Sequence, residues 1–268
     1  TMRNLRRNCV LIGVLGFAGF LFISFLLARW AVKPVEKAWQ QQRQFVADAS
    51  HELKTPITSV KVLADSLLAQ PDTPAELYRE FMVDIATEIE REDKIINDLL
   101  ALVKMDKAAG DLNISTVNMN ELTEIILKRL RPIARKNNVE VTLISKREIL
   151  AEVDEVKMSL ILTNLVENAI KYNQEQGKVE VTLDADHQFF TVQVSDTGIG
   201  IPEESLNQIY ERFYRVDKSH SREIGGTGLG LAITKNAVLL HRGSIKADSV
   251  VGEGTTFIVK IPLSRVLV

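Results

Sequence analysis

Residues 45–60 read F-V-A-D-A-S-H-E-L-K-T-P-I-T-S-V, and the apolar spacing that runs through them decides the N-terminal fold. Ala49, Leu53, Pro56, Val60, Leu63 and Leu67 recur at alternating intervals of four and three, the seam of a coiled coil. With that seam turned inward, His51 falls on the outer face of the helix, and Thr55 lies one turn further along the same face. A solvent-facing histidine is ordinarily only surface, but here it stands in the setting S-H-E-L-K-T-P. Neutral imidazole offers a lone pair on one nitrogen, and a carboxylate near the other N–H raises its nucleophilicity. Glu52 is the adjacent candidate for that general base. Pro56 cannot donate to the carbonyl of Glu52, so a bend or hinge is expected just beyond the histidine.

Downstream, P-D-T-P at 71–74 breaks this helix and starts another. Tyr78, Met82, Ile85, Ile89, Ile96, Leu99 and Val103 keep the same alternation, with Glu92 as the polar interruption. A lone helical hairpin buries too little surface, so two copies are expected to pair as a homodimeric four-helix bundle. The stretch 45–60 resembles the H box of sensor histidine kinases from two-component systems. The resemblance implies that His51 is phosphorylated, that Glu52 acts as base, and that Thr55 orients water for dephosphorylating the partner.

Upstream, residues 9–28 carry no charged side chain. Twenty residues at about 1.5 Å per residue span about 30 Å, the thickness of a bilayer's hydrocarbon core. This segment is expected to be a transmembrane helix, with a flank at 1–8, Arg29 and Trp30 as interfacial anchors, and a juxtamembrane linker at 29–44. The resemblance implies a bacterial plasma membrane as the location, with the catalytic part on the cytoplasmic side. Cys9 is the only cysteine, which excludes an internal disulfide framework and a Cys-based zinc cluster. A formal net charge of −2 gives no electrostatic reason to expect nucleic-acid binding.

The C-terminal part, taken as 117–264 after a phosphotransfer domain at 45–107, mixes helical and strand patterns. Helices are expected over 120–136, 154–172 and 229–241, and strands over 139–144, 178–183, 190–194, 244–249 and 256–261. The fold class is an α/β sandwich with helices covering one face of a mixed sheet. Three features within it point to a nucleotide pocket. N-L-V-E-N-A-I-K-Y at 164–172 interrupts an apolar helix face with Asn164 and Asn168, followed by Lys171 and Tyr172. Amide oxygens suit Mg²⁺, and an ammonium beside them neutralises phosphate. D-T-G-I-G-I-P at 196–202 follows a strand; Asp196 can accept from the amine of adenine, while Gly198 and Gly200 let backbone approach. G-G-T-G-L-G-L at 225–231 opens a helix, so Gly226, Thr227, Gly228, Leu229 and Gly230 can present N–H groups to phosphate. It fits neither a Walker loop nor a Rossmann turn.

In order, these stretches resemble the N, G1 and G2 boxes of the histidine-kinase ATP domain, the Bergerat fold shared with gyrase and Hsp90. E-R-F-Y-R-V-D at 211–217 is similar to its F box, and G-E-G-T-T-F at 252–257 to its final glycine element. The resemblance implies ATP and Mg²⁺ as cofactors. Asn168 would hold the metal, Asp196 would read adenine, Lys171 and Arg215 would face the phosphates, and 201–225 would form a lid. It also implies phosphotransfer to an aspartate on a separate response regulator, with phosphatase activity toward that regulator. Asn173 stands where a hydroxyl residue is common in the family, which leaves any hydroxyl contact there open. The alternatives are an ATP-driven conformational machine of the gyrase type, or a phosphatase-biased scaffold. Gyrase-type enzymes place a glutamate near the position of Asn164, which weighs against simple hydrolysis. Of the other histidines, His187 reads as hairpin turn, His220 as part of the lid, and His241 as a cation suited to a helix C-terminus.

Overall fold

The computed structural model describes residues 2–69, 74–107, 112–216 and 226–264, excepting the side chains of 3–12, 14, 18, 31, 34, 37, 38, 41, 106 and 107. Most of the P-D-T-P breaker, His220, Asp217 and Gly225 therefore lie outside the described residues. Two compact units divide the chain, 1–55 and 56–268.

One helix, α1 (Met2–Ala69), covers the expected span, the expected linker and the histidine stretch. The linker is thus helical: Pro34 is taken into the helix instead of ending it. Among the described residues no helix is long and apolar enough to cross a membrane. The expected span lies partly outside those residues, since the side chains at 9–12, 14 and 18 are not among them. In α1, Leu53, Val60, Leu63 and Leu67 are half-buried and Pro56 is buried, in keeping with the seam read from the sequence.

The second helix, α2 (Ala75–Lys107), is capped by the carbonyl of Pro74, which accepts from the N–H of Tyr78 at 2.9 Å. The stripe beside the expected seam is buried within the single chain, while much of the seam is left open. Ile95 is 1% exposed and Leu102 0%, whereas the expected seam residues Ile96 and Val103 are 42% and 38% exposed. The reason is tertiary. α2 contacts the last helix of the α/β part, and its Lys94 and Asp98 bond to Glu167 and Thr227 of that part.

The α/β part begins with β1 (Ile114–Asn118), α3 (Met119–Lys136), β2 (Glu140–Ser145), β3 (Leu150–Asp154) and α4 (Glu155–Lys171). It continues with β4 (Lys178–Ala185), β5 (Phe189–Asp196), a 3₁₀ turn (Glu203–Ser205), α5 (Gly230–Leu240), β6 (Ser244–Val250) and β7 (Gly254–Pro262). A five-stranded sheet has the order β2-β4-β5-β7-β6, with only β2 and β4 parallel. Alternation sorts its faces: Val181, Val194 and Phe257 stand in register across β4, β5 and β7 and are buried. The helices α3, α4 and α5 cover that face. β1 and β3, absent from the sequence expectation, form a separate antiparallel ribbon that runs straight into α3 and α4. Asn118 and Asp154, the last residues of these strands, are the N-caps.

His241 differs from its expected role. The N–H of Asp154 donates to its Nε2 at 3.0 Å, so that nitrogen carries no proton and Nδ1–H donates to the carbonyl of Ala237 at 2.7 Å. The buried ring is a neutral tie between α5 and the start of α4, not a cation at a helix end.

Candidate functional site

α4 turns a core helix into a pocket wall. Met158, Ile161, Leu162, Leu165, Val166 and Ile170 are all buried, and they fix the helix rotation. That rotation puts Asn164 in the interior, where its Nδ2 donates to the carbonyl of Gly230 at 3.1 Å and pins the first turn of α5. Asn168, one turn on, is half-buried and makes no side-chain hydrogen bond to any described residue. Lys171 Nζ lies 3.6 Å from Glu167 Oε2, an oxygen that also accepts from Lys94 Nζ at 2.8 Å. Burial and the charge of Lys94 lower the Lys171 ammonium below its ordinary range, with Glu167 opposing. Burial raises the Tyr172 phenol, and the positive charge of Arg215 works against that. Asn173 ends the helix as a staple. Its Nδ2 donates to the carbonyls of Ala169 and Lys178, and its Oδ1 accepts from Thr197 Oγ1 at 3.2 Å.

Asp196 sits at the end of β5. Its Oδ1 accepts from the N–H groups of Gly198 at 2.9 Å and Thr255 at 3.2 Å, while Oδ2 makes no hydrogen bond to a described residue. Burial pushes this carboxyl up and the two backbone bonds pull it back. Thr255 reaches it because Gly254 adopts φ +129, and a Cβ there would lie 1.9 Å from the carbonyl oxygen of Asp196. Gly228, at φ +71, lies against the backbone of Phe213, whose N–H donates to the Gly228 carbonyl at 2.9 Å.

These elements enclose a cavity of about 480 Å³, a size typical of small-molecule sites. Asn164, Asn168, Lys171, Tyr172, Asp196, Gly200, Arg215, Gly226, Thr227, Gly228 and Gly230 line it. Gly198 and Leu229 do not. Gly198 is instead needed where the chain passes the carbonyl of Tyr172, and Leu229 is fully buried in the core. Lys94, Asp98, Glu167 and Thr255 also line the cavity, and sequence reasoning singled out none of them. Glu167 and Thr255 lay inside quoted motifs. Lys94 and Asp98 carry no local signal, being one i,i+4 pair of charges on a long charged helix.

In the unit 1–55, His51 and Thr55 are exposed and Glu52 is half-buried. Thr55 Oγ1 donates back to the carbonyl of His51 at 3.2 Å, a side-chain contact that tends to bend helices.

The pocket and the histidine stretch coincide with two domain families. Residues 41–108 match the His Kinase A (phospho-acceptor) domain, and 153–265 match the histidine kinase-, DNA gyrase B- and HSP90-like ATPase. The chain belongs to the sensor histidine kinases of two-component systems. It is similar to the sensor histidine kinase WalK of Bacillus subtilis (strain 168), with 36% identity over 230 residues, covering 85% of this chain and 38% of the relative. The chain thus spans well under half the length of that relative. Histidine kinase ThkA, solved in complex with response regulator protein TrrA, aligns with TM-score 0.67 and 25% identity, over 82% of this chain and 61% of that one. Acinetobacter baumannii histidine kinase AdeS aligns with TM-score 0.67 and 22% identity, over 80% of this chain and 98% of that one, and shows the shared fold.

Proposed function

We propose that this chain is the kinase portion of a membrane-anchored sensor that transfers the γ-phosphoryl group of ATP to its own His51. The observation that carries this reading is the convergence of three distant stretches, 164–172, 196–202 and 226–231, on one cavity. The same chain presents an exposed histidine inside S-H-E-L-K-T-P. The unengaged amide of Asn168, the free carboxylate oxygen of Asp196 and the N–H-rich opening of α5 fit, in turn, a hard cation, an adenine amine and phosphate oxygens. Mg²⁺ held at Asn168 would supply charge neutralisation for the phosphates.

An imidazole nitrogen of His51 forms the new N–P bond in line as the bond to the β–γ bridging oxygen breaks and ADP leaves. Glu52, as base, takes the proton from the other ring nitrogen, and Lys171 and Arg215 face the phosphates. The phosphoryl group then passes to an aspartate of a separate response regulator, and Thr55 orients water for hydrolysis of that aspartyl phosphate, which releases inorganic phosphate. Pairing of two copies is supported by the open apolar stripe of α2, where Tyr78, Met82, Ile89, Ile96 and Val103 are all exposed. Membrane anchoring by 9–28 is supported by the absence of charge there and by exposed Phe17, Phe20, Phe22 and Phe25. A gyrase-type machine is disfavoured because an amide committed to Gly230, not a carboxylate, stands at 164.

Incubation with γ-labelled ATP tests the proposal. Acid-labile, alkali-stable label should appear on the protein and vanish in His51→Gln, with nucleotide binding retained. Label persisting in that variant, or release of free phosphate alone, sinks it.

A further inference from the structure

The strongest unabsorbed feature is the pair of charges that α2 sends into the cavity. Thr227 Oγ1, in the glycine loop, donates to Asp98 Oδ2 at 2.9 Å and itself accepts from the N–H of Leu229 at 3.3 Å. One turn earlier on α2, Lys94 Nζ binds Glu167 Oε2, the carboxylate that also engages Lys171. α2 is thus fastened to the nucleotide pocket at two points of opposite charge. At one of them a carboxylate takes the hydrogen bond that the loop hydroxyl could give to a phosphate.

We infer that Asp98 is a built-in competitor for the nucleotide's phosphates, so that α2 latches the glycine loop at Thr227 and ATP must release it. This rests on the ATP-binding reading above and adds a regulatory contact to that site. Burial pushes the Asp98 carboxyl above its ordinary range, with Glu167 adding to the effect and Thr227, Lys94 and Lys171 opposing it. A carboxylate in such a partly buried place repels an incoming triphosphate more strongly than one in water would. Linkage makes the effect reciprocal: whatever Asp98 costs ATP, ATP costs the hold of α2. α2 also contacts the last helix of the α/β part, and its Ile95 and Leu102 are buried, so the polar latch can loosen without that helix leaving.

The test measures binding of Mg·ATP and of adenosine to the full chain in a His51→Gln background, where no transfer occurs. Asp98→Asn and Asp98→Ser should each bind Mg·ATP roughly five- to tenfold more tightly, with adenosine affinity unchanged, because adenosine carries no phosphate to compete. Equal or weaker Mg·ATP binding overturns the inference, and weaker binding would make Asp98 a contributor to the site. Loss of adenosine binding in both variants overturns it too, because Asp98 would then be holding the pocket's structure. Should the unsubstituted carboxylate background itself fail to take up Mg·ATP, the functional reading falls, and this inference with it.

Discussion

α4 and the histidine turn of α1 both carry polar chemistry on a helix with an apolar seam, yet they hold it in opposite ways. On α4 the reactive side chains are set by burial. Asn164 is locked to Gly230, and Asn168 is left unengaged on a helix whose rotation six buried apolar residues decide. On α1 the histidine is set by exposure, on the face opposite Leu53 and Pro56, and Thr55 ties only to the backbone of its own helix. The comparison teaches a division of labour. A group that binds must be preorganised and partly dry, whereas a group that accepts from one partner and donates to another must be reachable by both.

The sharpest way to break that comparison is Asn168→Ala. If the buried wall binds and the exposed turn only accepts, Mg·ATP affinity should drop at least roughly 10-fold, the scale on which losing one metal partner registers. Mixing this variant with His51→Gln should restore label if transfer crosses a dimer. Unchanged affinity in a titration calorimeter would place the metal elsewhere.

A second test separates the two stripes of α2. Ile96→Glu, on the open stripe, should convert a dimer to monomers in sedimentation while leaving nucleotide binding intact. Leu102→Ala, on the stripe buried within the chain, should leave the dimer and cost about 2–4 kcal/mol of stability. The reverse pattern would exchange the two faces.

Gly254→Ala probes the pocket wall through its backbone. At φ +129, with the carbonyl of Asp196 in the way, it should cost about 3 kcal/mol in urea denaturation and weaken adenosine binding. An unchanged midpoint would mean that the β6–β7 turn relaxes freely.

The smallest effect is expected at Asp154→Asn, about 1–2 kcal/mol, because the amide keeps the helix cap but gives up the charge that pairs with Lys157. Burial alone would raise this carboxyl, but hydrogen bonds from the Lys157 side chain and backbone and from Asn113 outweigh it and hold it low. A depressed carboxyl stabilises fully above its unfolded value of 3.8 and loses that contribution as pH falls through the lower folded value. The wild-type chain should therefore lose stability below pH 3.8 more steeply than the variant, and parallel acid limbs would refute the assignment.

Most of the architecture was legible locally. The helices 119–136 and 155–171 and the five strands of the sheet fall close to their expected bounds, because period and punctuation are properties of consecutive residues. β1 and β3 escaped because each is five residues long, and β3 passes into α4 without a turn signal; only pairing with each other makes them strands. Within the pocket, Asn164, Asn168 and Asp196 stood out as polar residues in apolar runs. Lys94 and Asp98 could not, because nothing near them in the chain distinguishes them from other surface charges on α2.

By itself the sequence determined the helices of the α/β part and the five strands of its main sheet, the exposed position of His51 and the polar interruptions of α4, since each depends on side-chain spacing along one element. Only the tertiary structure decided which of two adjacent apolar stripes α2 would bury, that His241 is a neutral tie, and that Asp98 would meet Thr227 across 129 positions of chain. Burial and hydrogen-bond partnership are settled by packing between distant segments, and no local pattern encodes which segment will arrive.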